Sequence, residues 1–263
     1  MSLKIITLNC FYDLFSFHNI PRLDTAINEI IKLNPDIVCL QEIISKGQIN
    51  IVKNKLTSSG YHIFNEEGFV FNKGGLVFAS KFPILNKEFI EFKNQGKLLS
   101  LQLSDRIINK GYQKVEIEID SQKIQFYNVH IVSRYNGSSL KEKVEQIHQL
   151  DQLGEDLEAD RDRNKVCIGD FNTQSSGDYY MRFINKTFLI DPLARDCITY
   201  SPENTNSKQK FSFDHNSRID YILFSPSIKQ IETSIIFKNE FIIENRKQHL
   251  SDHFGIQSVF EIV

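Results

Sequence analysis

Pro35-Asp-Ile-Val-Cys-Leu-Gln-Glu42 and Asn164-Lys-Val-Cys-Ile-Gly-Asp170 are built alike: an apolar run of strand character that ends in a carboxylate. Each follows a helical pattern. Arg22 to Leu33 puts Leu23, Ile27, Ile30 and Ile31 on one face after Pro21, and Asn34-Pro35 stops it. Leu140 to Leu157 spaces Val144, Ile147, Leu150, Leu153 and Leu157 by three and four residues, with Ser138-Ser139 as its N-cap. The echo predicts two αβ units that deliver Glu42 and Asp170 to the same edge of the fold. Ligands in α/β proteins gather at the carboxyl ends of strands. Chemistry is expected at that edge.

Working outward, strands are expected at Lys4–Leu8, Leu76–Ala79, Val115–Ile119, Ile124–Val129, Tyr221–Phe224 and Phe254–Phe260, with a third helix from about Gln48 to Leu56. Polar, patternless Pro202–Asn216 reads as a surface loop. No Pro/Gly/Ser linker or charge block divides the 263 residues, so one domain spanning 1–263 is expected. Composition, at 41% hydrophobic and 24% charged, excludes disordered and fibrous classes. The net charge of -2 leaves no global field to draw in long nucleic acids, so an anionic substrate must be held locally by a metal or a few placed cations. Cys10, Cys39, Cys167 and Cys197 form no C-x-x-C pair and read as free thiols of a reducing compartment. The opening residues turn polar too soon for a secretory signal, and no apolar run reaches the ~18 residues of a membrane span. The expectation is a soluble monomer, cytoplasmic or otherwise intracellular, without stable membrane insertion.

Polar residues that packing does not require stand at strand ends: Asn9, Gln41-Glu42, Asn128 and His130, Asp170 and Asn172, Asp220, and Ser251-Asp252-His253. One alone reads as a turn cap or a satisfied histidine. Together at one edge they read as a site. Glu42, Asn9 and Asp252 offer hard oxygen ligands suited to Mg²⁺, with Mn²⁺ as a substitute, while no Cys/His cluster has zinc spacing. His130 and His253 suit proton transfer and oxyanion contacts. No G-x-S-x-G, Walker loop or G-x-G-x-x-G is present, which removes support for acyl transfer and nucleotide cradling.

Thr7-Leu-Asn9, Leu40-Gln-Glu42, Gly74-Gly-Leu-Val-Phe-Ala-Ser80, Asn128-Val-His130, Gly169-Asp-Phe-Asn172, Arg218-Ile-Asp-Tyr221 and Ser251-Asp-His253 occur in the order of the DNase I-like endonuclease/exonuclease/phosphatase superfamily. The resemblance spans residues 4–260. It implies a four-layer α/β sandwich, with two packed mixed β-sheets flanked by helices, and metal-dependent hydrolysis of a phosphoester. By the same resemblance Glu42 is the main metal ligand with Asn9 beside it, and Asp252 lies on the metal side. His130 stabilises the phosphoryl transition state, and Asp170 and Asn172 align water and phosphate. His253 acts as general base or phosphate ligand, its ring oriented by Asp220; if the two are apart, Asp220 becomes a turn residue or a partner of Arg218.

Within the superfamily, Ile6-Thr-Leu-Asn-Cys-Phe11, His130-Ile-Val-Ser-Arg-Tyr135 and Asn109-Lys-Gly111 resemble segments of neutral sphingomyelinases. That implies a Mg²⁺-dependent phosphodiesterase taking a lipid headgroup in preference to nucleic acid, with Lys110 near the mouth of the site and Phe11, Tyr12 or Tyr135 bordering it as an aromatic wall for a quaternary ammonium. The alternative within the superfamily is a nuclease or another phosphoesterase, such as one acting on inositol phosphates. The alternative outside it is a catalytically silent binding protein, disfavoured by the completeness of the residue set. The sequence contains no Trp and shows no apolar hairpin, so the means of meeting a lipid surface is not legible in it.

Overall fold

The computed structural model describes residues 2–11, 19–95, 108–133, 140–207 and 214–262. Two mixed sheets face each other. The first has the order β10-β13-β1-β2-β4-β3, with β1 at Ser2–Asn9, β2 at Ile37–Gln41, β3 at His62–Phe64, β4 at Val77–Ser80, β10 at Ile228–Ile236 and β13 at Gly255–Ile262. The second runs β5-β6-β7-β8-β9, over Ile84–Glu91, Gly111–Ile119, Gln122–His130, Asn164–Asp170 and Asp220–Phe224. Helices α1 (Asn19–Leu33) and α2 (Lys46–Ser58) cover the first sheet; α3 (Leu140–Ala159) and α4 (Asp178–Thr187) cover the second. The α/β sandwich of four layers is present.

Strand alternation explains the layering. Leu3, Ile5, Ile37 and Cys39 point between the sheets and meet Val115, Ile117, Ile124, Val166 and Ile168 from the opposite one. Their neighbours Ile6, Leu8, Val38 and Leu40 point outward onto Leu23, Ile27 and Ile30 of α1 and Val52 and Leu56 of α2. On the far side Tyr127, Val129, Cys167 and Leu223 pack against Leu150, Leu153, Tyr180 and Phe183. Strands buried on both faces read as unbroken apolar runs, which is why Ile37–Leu40 and Lys165–Ile168 stand out in the sequence. Truncating one such side chain to alanine costs about 2–5 kcal/mol.

The two αβ units exist as expected. β1 and β2 are parallel neighbours joined through α1, and β7 and β8 are parallel neighbours joined through α3. Near the edge where these strands finish, the core between the sheets turns polar. Gln41 Nε2 donates to Asn128 Oδ1 (2.8 Å) and Thr7 Oγ1 (3.1 Å), Asn128 Nδ2 donates to Gln113 Oε1 (2.9 Å), and Gln113 Nε2 donates to the Phe64 carbonyl (3.0 Å). All four side chains are buried. This ladder ties the sheets together directly behind the strand ends.

Several elements lie outside the sequence expectation, the short strand β3 among them. β5 and β10 are edge strands, β5 exposed along most of its length and β10 over Lys229–Glu232, and neither reads as a strand from its sequence; exposed charge is how an edge resists further pairing. Helix α4 buries Tyr180, Phe183 and Thr187 through a short Tyr- and Phe-rich pattern. A two-stranded hairpin, β11 (Phe241–Ile243) with β12 (Arg246–Gln248), leaves Ile242 79% exposed, although no hairpin was legible there. The 202–216 segment is only partly a surface loop: Asn204 is buried, and its Nδ2 donates to the Ser251 carbonyl at 2.9 Å. Among the described residues no helix is long and apolar enough to cross a membrane.

Candidate active site

Sheet register assembles most of the site. Across the second sheet Gly111 pairs with His130, His130 with Asp170, and Asp170 with Asp220, a line of neighbours at one edge. In the first sheet Asn9 pairs with Gln41, which places Glu42 one residue beyond. β13 runs antiparallel to β1, so the Ser251-Asp-His253 segment before it returns to the same edge, and Ser251 Oγ donates to the Asn9 carbonyl. Residues distant in sequence thus meet at one place.

Asp170 and Asp220 are like charges on paired strands, an arrangement that costs energy unless a cation joins them. His253 is that cation. Its Nδ1 lies 2.8 Å from Asp220 Oδ2, and its Nε2 lies 4.0 Å from Asp170 Oδ2 and from Asp252 Oδ1. Burial opposes a charged ring, yet Asp220, Asp252 and Asp170 outweigh it and hold the His253 pKa well above the usual value. These carboxylates favour the ring that carries a proton on both nitrogens. Thr199 Oγ1 accepts from the backbone N–H groups of Ile219 and Asp220, fixing the approach to the relay, and the Tyr200 ring meets His253 edge-on at 5.5 Å.

Asp170 is pushed up to about 7, by burial first and then by Asp220, against the lowering effects of His253, Lys110 and Asn9. Its oxygens are aligned from three directions: Asn9 Nδ2 at 2.9 Å, Asn172 Nδ2 at 3.1 Å and the Asn172 backbone N–H at 2.8 Å. Asn9 Nδ2 also reaches Glu42 Oε1 at 3.2 Å, so this amide spans the two carboxylates, while its Oδ1 accepts from the Phe11 N–H. Gly169 precedes Asp170 at φ 132°, and a Cβ there would sit 2.2 Å from the Val129 carbonyl oxygen. Only glycine lets β8 approach β7 this closely. Gln146, buried on α3, donates to the Asn172 carbonyl at 2.7 Å and holds the turn after β8.

His130 differs from His253 in charge. Its Nδ1 donates to the Gly74 carbonyl (3.1 Å), so its Nε2 is the acceptor for Lys110 Nζ at 2.6 Å. Burial, with the Lys110 charge adding to it, lowers its pKa to about 3. The ring is neutral. Lys110 is 1% exposed and also donates to the Ile131 carbonyl (3.1 Å); instead of standing at the mouth it is packed into the floor beside His130. The turn-like Lys-Gly dipeptide gives way to β6, whose Gly111 is the partner of His130.

Asn9, Glu42, His130, Asp170, Asn172, Asp220, Asp252 and His253 are thus drawn to one edge, together with Lys110. Arg218 does not pair with Asp220; it bridges to Asp191. Phe11 is 6% exposed beneath the Arg22 guanidinium (4.8 Å) and presents little of an aromatic wall. Tyr12 and Tyr135 lie outside the described residues. Gly74, Thr199, Tyr200 and Gln146 were not assigned roles from sequence. Gln146, a glutamine buried within a helix, carried a usable signal; Thr199 and Tyr200 carried none.

The donor chemistry fits a hard divalent cation. Asp170, Asp220 and His253 present ligand atoms within 4.8 Å of one another. Because His253 Nδ1 is committed to Asp220, we read this trio as a relay. The carboxylate oxygens of Asp170, Glu42 and Asp252 are the remaining hard donors, and the Asp170 carboxyl is raised by burial first and by the neighbouring Asp220 second.

A model of the family described as "Endonuclease/Exonuclease/phosphatase family" matches residues 6–253. A fission-yeast protein (Schizosaccharomyces pombe) described as "Inositol phosphosphingolipids phospholipase C" is 24% identical over 99% of this chain and 68% of its own length. Among solved structures, Staphylococcus aureus beta toxin carrying bound magnesium ions superposes with a TM-score of 0.81 at 17% identity, over 98% and 99% of the two chains. Sphingomyelinase C from Streptomyces griseocarneus gives 0.75 at 18%, over 98% and 99%. TDP2 from C. elegans gives 0.75 at 18%, over 98% of this chain and 75% of its own. At these identities the superpositions speak to the fold.

Proposed function

Since this chain belongs to the endonuclease/exonuclease/phosphatase family, and with that is a phosphodiester hydrolase, we propose that it hydrolyses a sphingomyelin-type phosphodiester, releasing the phosphorylated headgroup from the lipid. The observation that carries the hydrolytic part is the His253–Asp220 pair set 4.0 Å from Asp170, with Asn172 and Asn9 fixing the Asp170 oxygens. The lipid part is supported by whole-chain similarity to the fission-yeast phospholipase and by the sphingomyelinase-like segments of the sequence. It is supported further by charge: among the described residues, Lys110 is the lysine held beside His130, where a nucleic acid asks for cations along several phosphates.

In this reading Asp170 and Asn172 align the attacking water, and a carboxylate with a pKa of about 7 is well matched to take its proton. His253, whose proton its carboxylate neighbours hold and whose ring Asp220 braces, acts as a general acid instead of the general base that the resemblance implies, donating to the departing alkoxide as the phosphorus–oxygen bond breaks. Lys110 binds a phosphoryl oxygen directly. His130, neutral with its Nδ1–H on Gly74, holds the Lys110 ammonium in place. Mg²⁺, with Mn²⁺ as a substitute, would be held by Glu42 with Asn9 and Asp252 on the same side, and would offset charge on the phosphoryl oxygens.

The deciding experiment is a parallel assay on sphingomyelin micelles, plasmid DNA and inositol phosphates, with Mg²⁺ and with chelator. Hydrolysis of the first alone is expected. Plasmid nicking without sphingomyelin cleavage would establish the nuclease reading, which the TDP2-like fold also permits. Glu42→Gln should abolish metal-dependent turnover and leave the melting temperature nearly unchanged. Near wild-type turnover in that variant at saturating Mg²⁺ would remove Glu42 from the metal site.

A further inference from the structure

The loop that orients His130 also carries the most exposed large apolar side chain among the described residues. Its inner end is Gly74, whose carbonyl accepts from the His130 Nδ1–H; its tip is Phe69, 100% exposed, with Val70 55% exposed. The tip is closed by the Gly68 N–H donating to the Phe71 carbonyl at 2.9 Å. Its base is fixed to the residues directly after Glu42: Asn72 Nδ2 donates to the Ile43 carbonyl (2.8 Å) and the Asn72 N–H to the Ile44 carbonyl (3.0 Å). Phe69 is thus an aromatic side chain held out into water on a braced loop, a few residues from two catalytic groups.

Isolated exposed apolar residues are ordinary; Ile242, 79% exposed on the β11–β12 hairpin, comes next after Phe69 among the described residues, and several of the rest have evident settings. The Phe188 ring is covered by the Arg161 guanidinium at 5.2 Å, and Leu85 and Ile231 belong to edge strands. Phe69 has neither setting. Beside the tip, between the loop and the start of α2, lies a cavity of about 220 Å³ lined by Lys46, Ile49, Asn50, Glu67, Val70 and Asn72 among others. Glu67 is engaged by Lys53 at 2.8 Å. Counting Lys46, Lys53 and Lys73 against Glu66 and Glu67, the rim is left with one positive charge.

We propose that the Phe69-Val70 tip is a docking wedge for a lipid bilayer, Phe69 entering the boundary between headgroups and acyl chains while Lys46 and Lys73 meet lipid phosphates. Two side chains on a convex turn cover far too little surface for a stable protein partner, which needs about 1,200–2,000 Å² in all. An aromatic residue backed by lysines is what an interfacial anchor requires. The inference rests on the phospholipid reading of the site and adds to it the face that meets the membrane.

The test is cosedimentation with phosphatidylcholine–sphingomyelin vesicles, with and without phosphatidylserine, alongside turnover of the water-soluble substrate p-nitrophenylphosphocholine. Phe69→Asp should weaken vesicle binding about tenfold, the scale of one aromatic ring withdrawn from an apolar layer. It should slow vesicle-borne turnover in proportion and leave the soluble substrate and the melting temperature unchanged, while Phe69→Trp should restore binding. Unchanged vesicle binding in Phe69→Asp overturns the proposal. So does a vesicle-free dimer that the substitution dissociates, which would make the tip a contact between copies. If no lipid is hydrolysed yet Phe69→Asp still loses vesicle binding, the docking surface stands and the substrate reading falls.

Discussion

Two imidazoles of the same site carry opposite protonation, and the neighbours of each ring explain it. His253 is surrounded by carboxylates and keeps its second proton; His130 is buried against an ammonium and keeps one. Removing the neighbour should move the ring. In Lys110→Met the His130 pKa, lowered to about 3, should rise toward the ordinary value while burial still restrains it, read by NMR of the imidazole carbons through a pH titration. A value that does not move would mean that Lys110 is not the charge at that ring. Asp220→Asn should leave KM nearly intact and reduce kcat by about 10³–10⁴, the usual scale for losing the carboxylate that orients a catalytic histidine. Equal losses in KM and kcat would point to collapse of the site instead. The histidines and acids were legible in the sequence because they stand at strand ends where packing gives no reason for them. The neutrality of His130 was not legible, since it depends on Gly74 and Lys110, which only the fold brings to its two nitrogens.

At the level of elements, the echo between the segments ending in Glu42 and Asp170 correctly gave both parallel αβ units, because buried parallel strands have to be apolar throughout. The edge strands β5 and β10 escaped for the converse reason: their exposed positions mix Lys, Glu, Gln and Asn with Leu85 and Ile231, so no alternation survives to be read. The ladder of Thr7, Gln41, Asn128 and Gln113 was half visible, with Gln41 and Asn128 conspicuous at their strand ends and Gln113 hidden inside β6. Its members satisfy one another where water cannot reach. Asn128→Leu should therefore leave Gln41 and Gln113 each short of a partner and cost about 1–3 kcal/mol for each orphaned group. Urea denaturation monitored by circular dichroism gives that number directly. A change below about 0.5 kcal/mol would mean that water replaces the amide, the range of an inconsequential surface substitution.

For the molecule as a whole, Leu3 and Ile5 of one sheet share a core with Val115 and Ile168 of the other. We propose on that basis that residues 1–263 form one domain that unfolds in a single calorimetric transition; two resolved transitions would divide it. Stability should also depend on pH in a definite direction. Asp170, raised from 3.8 to about 7, and His253, raised above 6.5, both bind protons more tightly folded than unfolded. A raised folded value gives stability that is complete below the unfolded value and lost as pH rises through the folded one. Metal-free protein should accordingly lose stability as pH rises from 3.8 through about 7, with the His253 share lost at higher pH still. Mg²⁺ should flatten the profile, and melting curves in chelator and in Mg²⁺ that fall together would take the metal away from these carboxylates. The central position of β1, between β13 and β2, has a further consequence in time. The ribosome makes β1 well before β13, one of its two flanking strands, which is encoded some 250 residues later, and Ser251, which caps the Asn9 carbonyl, comes almost as late. At about 5–20 residues per second, the opening strand waits tens of seconds for its neighbour. During that wait an apolar ribbon with one open side has to be kept from other chains, so demand for a chaperone on the nascent chain should be set by the distance between those two strands.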